Sequence, residues 1–215
     1  MARPARTRPT PTSRWTRQEL AVLRRLTRPA LVQAFVDGLA YRVEDDPGSP
    51  RRVLAERRAN CYDGAILAAA ALRRLGHPPL LVDLRAVRDD DHVLAVFRER
   101  GRWGAVAKSN FAGLRYREPV HRDLRELAMS YFDGYFNVRG ERTLREYSVP
   151  LDLRLHDDLD WTFRDEHLHH LAGVLDALPH RALLTPGMVR ALTRVDPRSM
   201  EAGMVGTDPA GVHGA

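Results

Sequence analysis

The sequence holds one cysteine, Cys61, among 215 residues, which excludes an internal disulfide framework and any all-cysteine metal site. A reducing compartment, by default the cytoplasm, is the expectation. No run reaches the ~18 to 20 uncharged apolar residues that a membrane span needs, and the first residues lack the apolar stretch of a secretory signal, so neither a span nor export is expected. Lysine is almost missing: of 34 basic residues only Lys108 is not arginine. Glycines form no phosphate-binding fingerprint, because Gly101-Arg102-Trp103-Gly104 falls in a hairpin, and nucleotide binding has no support. No internal repeat is found.

What is present fits one globular domain, with 44% apolar, 29% charged and 7% aromatic residues. The net charge of +6 is local. Five arginines (Arg3, Arg6, Arg8, Arg14, Arg17) and no acid lie in residues 1–18, and the remaining 197 residues carry 29 basic against 28 acidic groups. Residues 1–14, with Pro4, Pro9 and Pro11, read as a disordered basic arm. Contact with RNA, DNA or an anionic membrane is open only through this arm, and plain solvated disorder is the simpler explanation. Residues 15–195 are expected to form the domain and residues 196–215 a flexible tail rich in glycine and small residues.

Capping and periodicity place the elements. Thr16 with Glu19 opens a helix to about Leu26, and Pro29 starts a second, Ala30 to Tyr41, with Leu31, Ala34, Phe35, Gly38 and Leu39 on one face. Arg51 to Arg58 reads as a short helix or turn. Asn60 to Leu75 is the strongest helix, capped by Asn60, with Asp63 at the third position and alanine and leucine around nearly its whole circumference, so it should be central and buried. Strands are expected at Leu80 to Val87, Asp91 to Arg98 and Arg102 to Lys108, the last two as an antiparallel hairpin. A three-residue loop, Glu99-Arg100-Gly101, would set Arg98 against Arg102 and His92 against Lys108, with Asn110 a diagonal neighbour of His92. A one-residue slip would bring Ser109 to that face instead. Val120 to Tyr131 and Asp165 to Leu178 read as helices, and residues 143–155 as a weak strand.

Cys61 opens the buried helix, where unpaired amides and the dipole favour a thiolate. A buried structural cysteine is the alternative. With His92 at the start of one strand and Asn110 at the end of its partner, the chain has the parts of a thiol acyl-transfer triad. Asn60 is either the helix cap or an oxyanion donor beside the Cys61 amide, and Lys108 either an amine needed at its position or a chance hairpin charge. Asp89, Asp90 and Asp91 would raise the imidazole pKa or form a solvated loop. Glu166, His167, His169 and His170 invite a metal reading, but no second ligand cluster accompanies them and none is assigned. Tyr131, Phe132, Tyr135 and Phe136 line an acceptor groove or pack in the core.

The order Cys61, His92, Asn110 resembles the transglutaminase-like branch of the papain-like cysteine enzymes, over about residues 49–153. The stretches NCYDGAILAAAALRRLGHPPLLVDLRAV, DDDHVLAVFRERGRWGAVAKSNF and LRELAMSYFDGYFN resemble small bacterial transglutaminase-like proteins of undefined substrate. The resemblance implies a thiol nucleophile, a histidine base and an orienting Asp, in whose place this chain has Asn110. The resulting expectation is an α+β, papain-like core in which the Cys61 helix packs on an antiparallel sheet carrying His92 and Asn110. Acyl transfer or hydrolysis on a peptide or small amide would proceed there without metal or organic cofactor. A non-catalytic peptide-binding or maturation partner that keeps the fold is the alternative.

Overall fold

A computed structural model describes residues 14–44 and 46–212, so the basic arm lies outside the described residues except for Arg14. Arg14 is engaged rather than free: its guanidinium pairs with Asp160 at 2.6 and 2.8 Å and lies 4.6 Å from the Phe163 ring centroid.

The chain runs α1 (Arg17–Leu23), α2 (Pro29–Asp37), β1 (Ala40–Tyr41), α3 (Pro50–Glu56), β2 (Arg58–Ala59) and α4 (Cys61–Arg74). It continues with β3 (Leu80–Ala86), β4 (His92–Glu99), β5 (Arg102–Val106), β6 (Arg117–His121), α5 (Leu124–Met129), β7 (Leu144–Ser148) and β8 (Leu151–Asp152). It closes with α6 (Leu168–Asp176), β9 (His180–Ala182), α7 (Pro186–Arg190) and α8 (Pro197–Met204). The protein is α+β. Seven strands form one antiparallel sheet in the order β6-β5-β4-β3-β7-β9, with β8 also on β3, and β1 and β2 make a separate two-residue parallel ladder.

Local chemistry explains the helix starts. Thr16 and Glu19 form the expected capping box on α1, and the Asn60 side chain accepts from the Asp63 amide at 2.9 Å to cap α4. Helix α2 stops at Gly38, and Ala40–Tyr41 is a strand, not helix as expected. Its buried face is also displaced from the expected one, to Val32, Gln33 and Val36. Gln33 explains this, because its carboxamide meets the Ala107 main chain in both directions, at 2.9 and 3.0 Å, and turns that side of the helix inward. Residues 117–121, expected in part as helix, are strand β6, and only α5 follows. Within residues 196–212, Asp196 caps α8 with Pro197 in its first turn, and Gly203 sits on the Phe136 ring.

Every residue of α4 from Asp63 to Leu72 is buried. One core lies between α4 and the sheet face of Val93, Ala95 and Phe97; a second covers the opposite face, where Val82, Leu84, Leu94 and Val96 meet Tyr131 and Tyr135. The β4–β5 hairpin turns on two residues, Arg100 and Gly101, both at positive φ (49° and 79°). Glu99 therefore pairs with Arg102, and the ladder reaches only Ala95 with Val106. This is one residue off the expected register, so Lys108 is carried to the α4 side, away from His92. There its stem presses on Gly64, where a Cβ would lie 2.3 Å from the Lys108 Cβ, and its ammonium donates to the Leu39 carbonyl at 2.5 Å, just past the end of α2. Burial pushes its pKa down. Lys108 is a packing and helix-end residue.

Arg42 and Gly48 are fastened to the first turn of α4 by Asp63. Asp63 Oδ1 accepts from the Gly48 amide at 2.7 Å, and Oδ2 lies 3.2 Å from Arg42 Nε, both side chains being sequestered. No helix among the described residues is long and apolar enough to cross a membrane.

Two stability changes follow. Gly64→Ala drives a methyl into Lys108 and should cost about 1 to 3 kcal/mol in chemical denaturation, with the m-value unchanged. Arg42→Leu strands the buried Asp63 carboxylate and should cost about 3 to 5 kcal/mol. A wild-type midpoint for either variant would contradict the packing described.

Candidate active site

Three elements converge where the start of α4 meets the start of β4. Cys61 is the first residue of the helix, and its thiol donates to the carbonyl of Asp91 at 3.9 Å. His92 is the first residue of the strand. The helix and the imidazole belong to opposite faces of the sheet, since His92 stands opposite Leu84 on the tyrosine side while α4 covers Val93. The two residues therefore share a site at the strand's end rather than across a face. Both line a cavity of about 430 Å³, together with Tyr41, Asn60, Asn110 and Tyr135.

His92 is 4% exposed, and its Nε2 lies 2.8 Å from the Leu114 carbonyl. A carbonyl oxygen only accepts, so Nε2 carries the proton and Nδ1 is the basic nitrogen. The ring meets Tyr131 and Tyr135 edge-on, with centroids 6.3 and 6.4 Å away. Burial pushes the imidazole down to about 4, the Arg117 charge acts in the same direction, and the Leu114 carbonyl acts against both.

Cys61 departs from the expected thiolate. Burial pushes its thiol up to about 11; the Val93 and Tyr62 amides favour the thiolate, while Asp90 and Asp83 oppose it. Desolvation outweighs the helix terminus. At neutral pH the pair is a thiol and a neutral imidazole. The acids before His92 do not raise it, since only the Leu114 carbonyl acts upward on the imidazole; Asp89 accepts from Thr143 Oγ1 at 2.6 Å and Asp91 Oδ1 from the Ala86 amide at 2.7 Å.

Asn110 does not orient His92. Its Nδ2 donates to the carbonyls of Asp208 and Gly211 at 2.8 and 2.9 Å, and its Oδ1 accepts from the Asp208 amide at 2.8 Å. The position expected for an Asn or Asp is taken by the Leu114 main chain. A backbone acceptor leaves no mark in side-chain spacing, which is why motif reading missed it. Asn60 uses its oxygen as the helix cap and also borders the cavity. Of the aromatic run, Tyr131 and Tyr135 are core residues, and Tyr135 and Phe136 also face the cavity.

Beyond Asp91 lies a buried pair that the sequence reading passed over. His180 Nδ1 is 2.7 Å from the Leu178 carbonyl and Nε2 is 2.9 Å from Asp83 Oδ2, so the ring bridges a main-chain carbonyl and a buried carboxyl. Burial pushes Asp83 up to about 6. A lone Asp inside the apolar strand LLVDLRA was the available signal, because a charge there needs a partner. Oxygens of Asp83, Asp91 and Asp176 come within 4.8 Å of one another. Each carboxylate already has a protein partner, in His180, the Ala86 amide and Arg85 respectively, and no metal is assigned. Glu166, His167, His169 and His170 are exposed on and before the first turn of α6.

The lowered His92 pKa sets a pH dependence of stability. Between pH 6.5 and about 4 the unfolded chain binds a proton at this histidine and the folded chain does not, so stability falls as pH falls through that window. The loss is roughly 3 kcal/mol for a shift of this size. Denaturation of wild type and His92→Gln at pH 7 and pH 4 should show the slope reduced by that amount in the variant; equal slopes would mean that His92 is not held neutral. No protein-family model matches the chain, and no curated protein sequence matches it.

Proposed function

We propose that the protein is a thiol-dependent acyl-transfer or amide-hydrolysing enzyme of transglutaminase-like type, on a papain-like core, with Cys61 as nucleophile and His92 as general base. One observation carries this reading. A thiol at a helix start and an imidazole whose tautomer is set by the Leu114 carbonyl border the same cavity, which leaves Nδ1 as the basic nitrogen.

The neutral resting pair dictates the order of events. As sulfur bonds to the carbonyl carbon, the thiol proton passes to Nδ1, and the oxyanion is met by the Cys61 amide, which at the first helical position has no intrahelical acceptor. The Asn60 carboxamide NH2, not used by the cap, is the candidate second donor. Collapse of the intermediate breaks the C–N bond, and the leaving amine takes the proton from Nδ1. Water or an amine then attacks the thioester, loses its proton to Nδ1, and sulfur leaves with that proton. An imidazole with a low pKa is a weak base but a strong acid once protonated, which favours amine expulsion. No cofactor enters this sequence.

A second reading, a non-catalytic peptide-binding or maturation protein that retains the fold, draws on the same burial. A thiol near 11 and an imidazole near 4 are the reverse of an activated ion pair. An activated ester separates the two. With p-nitrophenyl acetate, intact mass should show acetylation of wild type at Cys61 and none of Cys61→Ser, and His92→Ala should slow acylation by about 100-fold. Acylation of His92→Ala at the wild-type rate would defeat the enzyme and leave the binding protein.

A further inference from the structure

We propose that Asn110 is the centre of a peptide-backbone subsite on the rim of the Cys61 cavity, and that residues Thr207–Val212 are its resident, displaceable occupant. The ligand class is an extended peptide with glycine at the position that faces Tyr41. The proposal deepens the enzymatic reading by naming a glycine-containing peptide as the substrate, and it rests on that reading only for this last step.

The hydrogen bonds are those of a strand read by a side chain. Asn110, 6% exposed, takes the amide and the carbonyl of Asp208 and adds the carbonyl of Gly211, all main-chain groups. The Thr207 hydroxyl donates to the Asn110 carbonyl at 3.2 Å. A carboxamide that pairs with both polar groups of one residue mimics a neighbouring backbone, so it accepts any peptide of suitable path. Selectivity comes from space. A Cβ at Gly211 would lie 2.6 Å from Tyr41 Cε1 and 3.0 Å from Asn110 Nδ2, so a residue without a side chain passes between them. Ala210, Gly211 and Val212 form part of the wall of the cavity that holds Cys61.

The same segment is lightly held elsewhere. Asp208, Pro209 and Ala210 are exposed, and apart from the Asn110 bond to the Gly211 carbonyl the hydrogen bonds of the turn Pro209–Gly211 among the described residues go to Asp208. Upstream the anchor is firm, where Gly203 of α8 sits on Phe136 with room for no Cβ, 2.5 Å from the ring. Between anchor and occupant is Gly206, at φ 72° with nothing near its Cβ position, a free pivot. A peptide supplied from outside would meet the same three polar groups of Asn110 once the segment swings away.

Cys61 is the only thiol in the chain, so its labelling rate reports access to the cavity without requiring catalysis. In the full-length protein, Gly211→Leu should dislodge the segment and raise the rate of modification by dithionitrobenzoate about tenfold at one fixed alkaline pH. The free hexapeptide Thr-Asp-Pro-Ala-Gly-Val, blocked at both ends, should restore the slow rate in a saturable manner. In Asn110→Leu/Gly211→Leu the labelling should stay fast and the peptide should give no protection. Fluorescence anisotropy of the labelled hexapeptide on Cys61→Ser/Gly211→Leu should still show binding, which separates the subsite from acyl chemistry. Wild-type labelling in Gly211→Leu with an unchanged melting temperature, or no binding of the peptide to either Gly211→Leu protein, would overturn the proposal, whatever the acylation assay returns.

Discussion

Helix α4 can lie against the sheet only because position 64 has no side chain. The Lys108 stem fills the space that a Cβ would take, and its ammonium reaches across to the end of α2. That contact sets the height of the helix over β4 and β5, and with it the place where the Cys61 sulfur meets the Asp91 carbonyl. The run of alanines after Gly64 continues the same close approach, and the buried Arg42–Asp63 pair ties Arg42 to the helix start. The cavity is a consequence of this packing: a helix terminus, a strand terminus and a loop meet where none can fill the corner.

Burial governs the electrostatics of that corner more than any single charge. It acts on Cys61, His92, Asp83 and Asp63 in the sense that disfavours their ionised forms. Helix-terminal amides favour a thiolate, but an amide or two cannot replace the lost water. The Cys61–His92 pair is therefore neutral at rest, with the imidazole proton fixed by the Leu114 carbonyl, inside a cavity that Arg42, Glu44, Asp89, Asp90 and Asp91 also line. Chemistry between such a pair has to move the proton during bond formation. The carboxamide of Asn110 holds a stretch of backbone on the rim of the same cavity.

Much of the local structure was legible. The Thr16 and Asn60 caps, the proline-led start of α2, the sequestered α4 and the three central strands rest on short-range chemistry that the chain carries wherever it folds. The hairpin register was not legible, because Arg-Gly is not the dipeptide that two-residue turns favour and Arg100 must adopt a positive φ. The core decided it: Val93, Ala95 and Phe97 have to face α4 together with Val106, and the turn yields to that demand. A single residue of register moved Lys108 off the face of His92. The inward side of α2 was misread for a similar reason, since Gln33 counts as polar until its carboxamide finds the Ala107 backbone.

The amino-acid sequence alone determined that a lone thiol opens a buried helix and that a histidine begins a strand some thirty residues later. Spacing, caps and apolar patterning are local quantities, and they suffice for that. Only the tertiary structure decided what those groups touch. The Leu114 carbonyl, rather than Asn110, settles the imidazole tautomer, and Asn110 instead grips residues 208–211, about a hundred positions away. Contacts to main-chain atoms and protonation states set by burial depend on the assembled packing, and no residue type announces them in advance.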